Sequence, residues 1–185
     1  MIMIMNKTVD INERTLEKEK KNFIEFCKAA EGVLSVFLAI MIIGAIALVI
    51  VMIMDNAMKN APVPSDSEYT TAEGIFNGIV GLGMLIGYSI AVNFGVKVFK
   101  KLKDGETPFR YEIADKIKGA AMAVFVTATI DFIAEIIMGI LEVNGIWEID
   151  VTITFDYFIW SAILFAVAYI FNYGCKLQQE SDETI

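Results

Sequence analysis

The sequence predicts an all-α protein, specifically an integral membrane four-helix bundle with a cytoplasmic juxtamembrane N-terminal helix. Three observations predict it. The chain of 185 residues is 56% hydrophobic with a mean hydropathy of +0.59, whereas a soluble domain is about 45–50% apolar. The excess lies in four long apolar runs, each close to the ~20 residues that a helix needs to cross a bilayer. The basic residues also concentrate in alternate segments between those runs.

Residues 1–32 form the predicted cytoplasmic lead-in. The segment is strongly charged, and Leu16, Phe23 and Cys27 fall close to one face at helical spacing. We therefore expect an amphipathic helix that either lies near the membrane surface or runs straight into the first span. The opening MIMIM is too short for the apolar region of a signal peptide, so we expect it to be retained.

Residues 33–175 form the predicted transmembrane domain, and residues 176–185 form an acidic cytoplasmic tail. The predicted spans are 33–54, 74–96, 119–141 and 155–173. The first span has Ser35 as its only polar side chain, so we expect it on the outside of the bundle. Pro62 and Pro64 favour a loop between the first two spans, because proline breaks helices.

The third span carries two acidic residues. Asp131 lies near its middle and Glu135 follows one turn later, on the same helix face. A charged side chain at the bilayer centre costs roughly 2.5–3.5 kcal/mol on insertion scales. We therefore expect both to face other helices or a water pocket, and at least one to hold a proton because two adjacent carboxylates resist joint ionisation. The pair either binds protons or cations, or holds the bundle together as a structural element.

The second span is rich in glycine and offers a packing surface for the third. Its small residues repeat every fourth position, at Gly83, Gly87, Ala91 and Gly95. The third span has a matching row of small and polar residues: Gly119, Ala123, Thr127, Asp131, Glu135 and Gly139. Small residues let helix backbones approach closely, so we expect the rows to pack together, with or without a functional cavity between them. Tyr88, Ser89, Thr127 or a residue of the fourth span would then support the acids.

The distribution of lysine and arginine predicts the topology. Seven of the 15 basic residues lie in the segment 97–118, six precede the first span, and none lies in the loop 142–154. Loops rich in Lys and Arg stay on the cytoplasmic side. We expect both termini and the 97–118 segment to be cytoplasmic, in a bacterial inner membrane. Trp147, Tyr157 and Trp160 suit an aromatic belt at one membrane interface.

Composition also limits the function. A net charge of −8 argues against direct nucleic-acid binding, which needs a basic surface. The chain has no His, so Ser-His and Cys-His catalytic arrangements are excluded. Cys27 and Cys175 stand far apart and form no metal-binding pattern, so we expect two reduced thiols. We expect no enzymatic activity, no metal and no cofactor.

Two short motifs carry a resemblance to a known family. The first is a Gly-x-x-Pro-Phe turn between the second and third spans, formed by Gly105, Pro108 and Phe109. The second is Gly-x-x-Leu-Gln-x-Glu-x-Asp after the fourth span, formed by Gly174, Leu177, Gln178, Glu180 and Asp182. Over roughly its last three spans the chain resembles a bacterial family of four-span membrane proteins. That family is catalogued as a domain of unknown function, number twenty-nine seventy-five.

The resemblance implies a partner rather than an activity. Members of that family are typically encoded beside a small helix-turn-helix regulator. Our leading expectation is a non-enzymatic inner-membrane protein that regulates or tethers such a regulator through the two motif stretches. The alternative is a small proton- or cation-coupled transporter or channel subunit that uses Asp131 and Glu135. A further alternative is an immunity protein against a membrane-active peptide.

Overall fold

A computed structural model describes the backbone of residues 2–59, 71–104, 109–143 and 155–183, and the side chains of 15–54, 74–104, 109–141 and 155–183 except residue 182. Four α-helices occupy nearly all of these ranges: α1 (Ile2–Lys59), α2 (Thr71–Lys103), α3 (Tyr111–Val143) and α4 (Asp156–Glu183). The described ranges contain no strand. The prediction of an all-helical chain with four long helices is confirmed.

Each helix contains a stretch that is long and apolar enough to cross a membrane. Three of the helices also continue well beyond the predicted spans, since α2 runs on to Lys103, α3 begins at Tyr111 and α4 reaches Glu183. Charge explains part of the extension. Lysines occupy the last turn of α2 and Glu112 lies in the first turn of α3, where each complements the partial charge of its helix end.

The N-terminal lead-in is continuous with the first apolar stretch. No break separates the charged half of α1 from its apolar half, so the lead-in runs straight into the span rather than lying apart from it. No residue in the most apolar window of α1 is buried by the rest of the chain. This exposure fits the expected position of α1 on the outside of the packed helices.

Each helix packs against the next one along the chain: α1 on α2, α2 on α3, and α3 on α4. Within the described ranges, no Cα atom of α1 comes within 8 Å of a Cα atom of α3 or α4. A closed up-and-down bundle would also bring its first and last helices together. The expected packing between consecutive helices is present, while the α1–α4 side stays open.

The helices come closest together where α2 ends and α3 begins, a region we call the connector end. Its core contains Cys27 of α1, Leu102 of α2 and Ile113 of α3, with Val98 beside them. Phe171 of α4 packs against this core. The connector end is therefore the place where side chains from all four helices share one apolar cluster.

Ion pairs reinforce the connector end. Lys103 Nζ lies 2.6 Å from Glu31 Oε2 and joins α2 to α1. Lys101 pairs with Glu112 across the gap between α2 and α3. Lys116 reaches the same carboxylate from one turn further along α3, at 3.6 Å. These contacts fix the relative position of three helices at this end.

Candidate functional site

Polar side chains of α2, α3 and α4 lie close together near the start of α4, and we call this group the polar cluster. It is centred on Tyr88 of α2, Asp131 of α3 and Tyr157 of α4, and it includes Glu135 and Ser161, each one helical turn further along the face of Asp131 or Tyr157. The rings of Tyr88 and Tyr157 lie 5.5 Å apart between centroids and are tilted by 47°. Asp131 lies within electrostatic range of the Tyr88 hydroxyl. The cluster links α2 to α4 across α3.

The polar cluster includes buried oxygen atoms. The Tyr88 hydroxyl and Ser161 Oγ are buried, and neither has a hydrogen-bond partner in the described part of the chain. Glu135 Oε2 is buried as well. Ser161, only 1% exposed, lies one turn beyond Tyr157 on the same face of α4. A buried hydroxyl without a partner costs about 1–3 kcal/mol, so this arrangement is not explained by stability.

The hydroxyl protons of Ser89 and Thr127 are used within their own helices. Ser89 Oγ donates to the carbonyl oxygen of Leu85 at 2.6 Å, and Thr127 Oγ1 donates to that of Ala123 at 2.8 Å. Serine and threonine inside helices often bond to the carbonyl one turn earlier, which uses their only proton. Neither hydroxyl therefore donates to the acids, and support of the acids through the hydroxyl oxygens stays a prediction.

Tyr157 makes an internal contact that the sequence did not predict. Its side chain is half-buried and packs on Tyr88, while its place in an aromatic belt stays a prediction. Trp160, three residues later, is 62% exposed, while Trp147 lies outside the described residues. The spacing of Tyr157 and Ser161 by one helical turn, in a span with few other polar groups, is the signal that could have revealed their shared face.

The glycines of α2 pack against two neighbouring helices, α1 and α3, rather than against α3 alone. A Cβ atom added at Gly87 would collide with Thr127 Oγ1, so α2 and α3 approach closely there, as the small-residue rows predicted. Gly95 instead faces Leu34 of α1, and an atom added at Gly83 would meet nothing within 4 Å. The expected packing of the whole row on α3 is wrong for these two. Positions four residues apart advance by about 40° around a helix, so the row turns from one neighbour towards another.

The chemistry of the polar cluster suits a small positive ligand. Two carboxyl groups and three hydroxyl groups offer oxygen atoms only, and oxygen is the ligand atom of hard cations. The same carboxyl groups can hold a proton when they are shielded from water. Within the described ranges, no group of three or more His, Cys, Asp and Glu residues is arranged to hold a metal ion.

The two stretches that carry the family resemblance contact each other at the connector end. The ring of Phe109 lies over Gly174, where an added Cβ would stand 2.6 Å from Phe109 Cε1. The same ring packs 5.9 Å from that of Phe171. The Tyr111 hydroxyl lies 3.5 Å from Gln179 Oε1, a second link between the start of α3 and the end of α4.

The remaining residues of the two stretches divide between described and undescribed parts. Gly105, Pro108 and the side chain of Asp182 lie outside the described residues. Gln178 is half-buried, whereas Leu177 and Glu180 are exposed on the last turns of α4. The described part of the acidic tail is therefore helical and continuous with the fourth apolar stretch.

Comparison with known proteins identifies no relative. The resemblance described above stays a prediction. The chain matches no family model, and neither the curated proteins nor the solved structures give a match.

Proposed function

We propose that this chain is a non-enzymatic membrane protein that regulates or tethers a small cytoplasmic helix-turn-helix regulator at its connector end. The observation that carries the proposal is the contact of Phe109 with Gly174. Because of this contact, the two stretches that resemble the regulator-associated family form one surface rather than two. In this proposal the chain lies in a bacterial inner membrane with both termini in the cytoplasm, since Lys and Arg concentrate at the connector end.

The last turns of α4 have a chemistry suited to such a partner. Leu177 is 49% exposed there, next to the exposed carboxylates of Glu180 and Glu183. DNA-binding domains carry a basic surface for phosphate groups. An acidic helix can attract that surface and compete with DNA for it.

Charge reversal at the end of α4 tests this proposal. The full-length protein would be co-purified in detergent with a small helix-turn-helix regulator from the same genome. Glu180→Lys should reduce recovery of the regulator roughly tenfold, because it converts attraction into repulsion. Glu17→Lys is the matched control, since Glu17 is an exposed carboxylate on α1 outside the proposed surface. Equal recovery with both variants would contradict docking on α4.

A second candidate function is supported by the polar cluster. In this proposal the chain is a small proton- or cation-coupled transporter or channel subunit. The buried Tyr88 hydroxyl next to Asp131 is the observation that favours it. Buried polar groups of this kind cost stability, and ionisable side chains within membrane spans commonly mark ion pathways.

Flux measurements test the second candidate. Purified protein would be reconstituted into liposomes, and uptake of protons, sodium and potassium would be measured separately. Asp131→Asn and Glu135→Gln should each abolish flux, because an amide binds neither a proton nor a cation with comparable strength. Asp156→Asn is the control, since Asp156 is exposed at the start of α4. Flux that survives both substitutions in α3 would exclude this mechanism.

A further inference from the structure

A cavity of about 460 Å³ lies between the first turns of α3 and the second half of α4. It is separate from the polar cluster and from the Phe109–Gly174 contact, and none of its lining residues takes part in either proposal above. Its floor is formed by small side chains, among them Ala114 and Ala168, which are both buried. Small residues on both helices leave a groove there instead of interlocking.

The groove lies where the side chains of α3 and α4 change from charged to apolar. α3 and α4 run antiparallel, since Phe132 in the second half of α3 packs on Phe155 and Phe158, whereas Ile117 and Phe171 meet at the connector end. Phe165 and Ala166 line the groove from the apolar part of α4. Lys118, just before the third predicted span, lines it nearer the connector end. One end of the groove is apolar and the other is charged.

The charged end carries one group of each sign. Asp115 and Lys118 both line the groove and stand three residues apart on α3, which places them on neighbouring parts of one helix surface. Both are exposed, and the described residues include no hydrogen-bond or ion-pair partner for either one. Asn172 of α4 adds an amide on the opposite wall. The groove thus offers an anion site and a cation site side by side, next to an apolar surface.

We propose that this groove binds a phospholipid with an ethanolamine headgroup. Lys118 would pair with the lipid phosphate, and Asp115 would accept hydrogen bonds from the ammonium group. The acyl chain would lie along Phe165 and Ala166. A choline headgroup cannot donate hydrogen bonds to Asp115, and a glycerol headgroup has no positive charge for it. The inference depends on the membrane location of the chain, and not on either function proposed above.

Lipid retention measures this preference directly. The full-length protein would be exchanged into micelles with equal amounts of ethanolamine, choline and glycerol phospholipids of identical acyl chains, and bound lipid counted by native mass spectrometry. The native chain should retain the ethanolamine lipid roughly three- to fivefold over the others, the range that exposed ion pairs support. Asp115→Asn should remove the preference over choline lipid, and Lys118→Gln should lower retention of all three.

Three further variants make the experiment decisive. Lys176→Gln and Asp156→Asn carry the same chemical changes at exposed positions outside the groove, and both should retain the native preference. Ala166→Trp places a large ring in the groove at an exposed position and should exclude the lipid without disturbing the fold. Equal retention of the three lipids by the native chain overturns the proposal. A preference for ethanolamine lipid that survives both Asp115→Asn and Ala166→Trp also overturns it. The same holds for a preference for glycerol lipid that is lost only in Lys118→Gln.

Discussion

The connector end and the polar cluster solve the packing of the same helices in opposite ways. At the connector end, large apolar side chains from all four helices share one core, and ion pairs join α1 to α2 and α2 to α3. Around the polar cluster, small residues, a tilted pair of tyrosine rings and buried oxygen atoms lie beside the apolar rings of Phe132, Phe155 and Phe158. The connector end resembles the interior of a soluble protein, whereas the polar cluster buries oxygen atoms among apolar side chains.

This difference distinguishes residues that stabilise the fold from residues that are candidates for ligand binding. Burial of apolar side chains and paired charges explain the connector end without any ligand. The polar cluster contains a buried Tyr88 hydroxyl and a buried Ser161 Oγ without partners in the described ranges, so it costs free energy. A region that costs free energy within an otherwise favourable fold is a candidate for binding. The comparison therefore predicts that substitutions in the buried core of the connector end affect folding, while those in the polar cluster affect the transport of the second proposed function.

Truncation of the connector core should have the largest effect. Ile113 is fully buried, so Ile113→Ala leaves a cavity and should lower the free energy of unfolding by about 2–5 kcal/mol. Ile130→Ala is the matched control, because Ile130 is 47% exposed on the same helix and leaves no cavity. Equilibrium unfolding in mixed micelles compares the two. A similar loss in both variants would mean that the connector end is not a distinct core.

Overpacking between α2 and α3 should rank second. Gly87→Ala places a methyl group against Thr127 Oγ1 and should cost about 1–3 kcal/mol of unfolding free energy. Gly83→Ala adds the same group where nothing lies within 4 Å, so it should be neutral or slightly stabilising. Thr127→Ala combined with Gly87→Ala should restore part of the loss, since the two sites are coupled. Equal stability of the two single alanine variants would refute the close approach at Gly87.

Removal of the Tyr88 hydroxyl should separate stability from function. Tyr88→Phe keeps the ring contact with Tyr157 and deletes a buried group that has no partner in the described ranges. The free energy of unfolding should rise by about 1–3 kcal/mol, because the cost of burying an unpaired hydroxyl is removed. Cation or proton flux in liposomes should fall in the same variant. A clear loss of stability with unchanged flux would instead assign the hydroxyl to packing.

The ion pair between α1 and α2 should give the smallest effect. Lys103→Gln removes the charge that meets Glu31 near the surface, where water and ions weaken such pairs. We expect a slightly lower melting temperature at low ionic strength and no difference at high ionic strength, because salt screens the attraction. Lys100→Gln, at an exposed neighbouring position, is the control. A difference that persists in high salt would show that the Lys103 stem contributes by packing.

The sequence was sufficient to predict the elements but not all of their contacts. Long apolar runs predicted four helices because helix length and bilayer thickness are tied by geometry. Asp131 and Glu135 were identifiable because two acids stand out in a run such as Gly119–Leu141. The role of Tyr157 was not identifiable, because an aromatic residue near a helix start suits either a membrane interface or an internal contact.

The glycine row shows a second limit of sequence reasoning. Its spacing correctly indicated close packing, but spacing alone does not say how far a row turns around its helix between the first and last position. Over Gly83 to Gly95 the turn is large enough to move from an open side to α1. The ends of the helices were also missed, because lysine-rich and acidic segments read as loops when helix-end electrostatics are not counted.

Because α1 is one continuous helix, its charged N-terminal half is a rigid extension of its apolar half. Residues 2–32 of that helix form a rod of roughly 45 Å at 1.5 Å per residue. Residues 15–22 of the rod are exposed, and its described contacts with α2 include those of Phe26, Cys27 and Glu31. A force applied to the N-terminal half of this helix would be transmitted to α2 through the contacts of Cys27 and Glu31. A twist of the rod would thus reach α2 before any other helix.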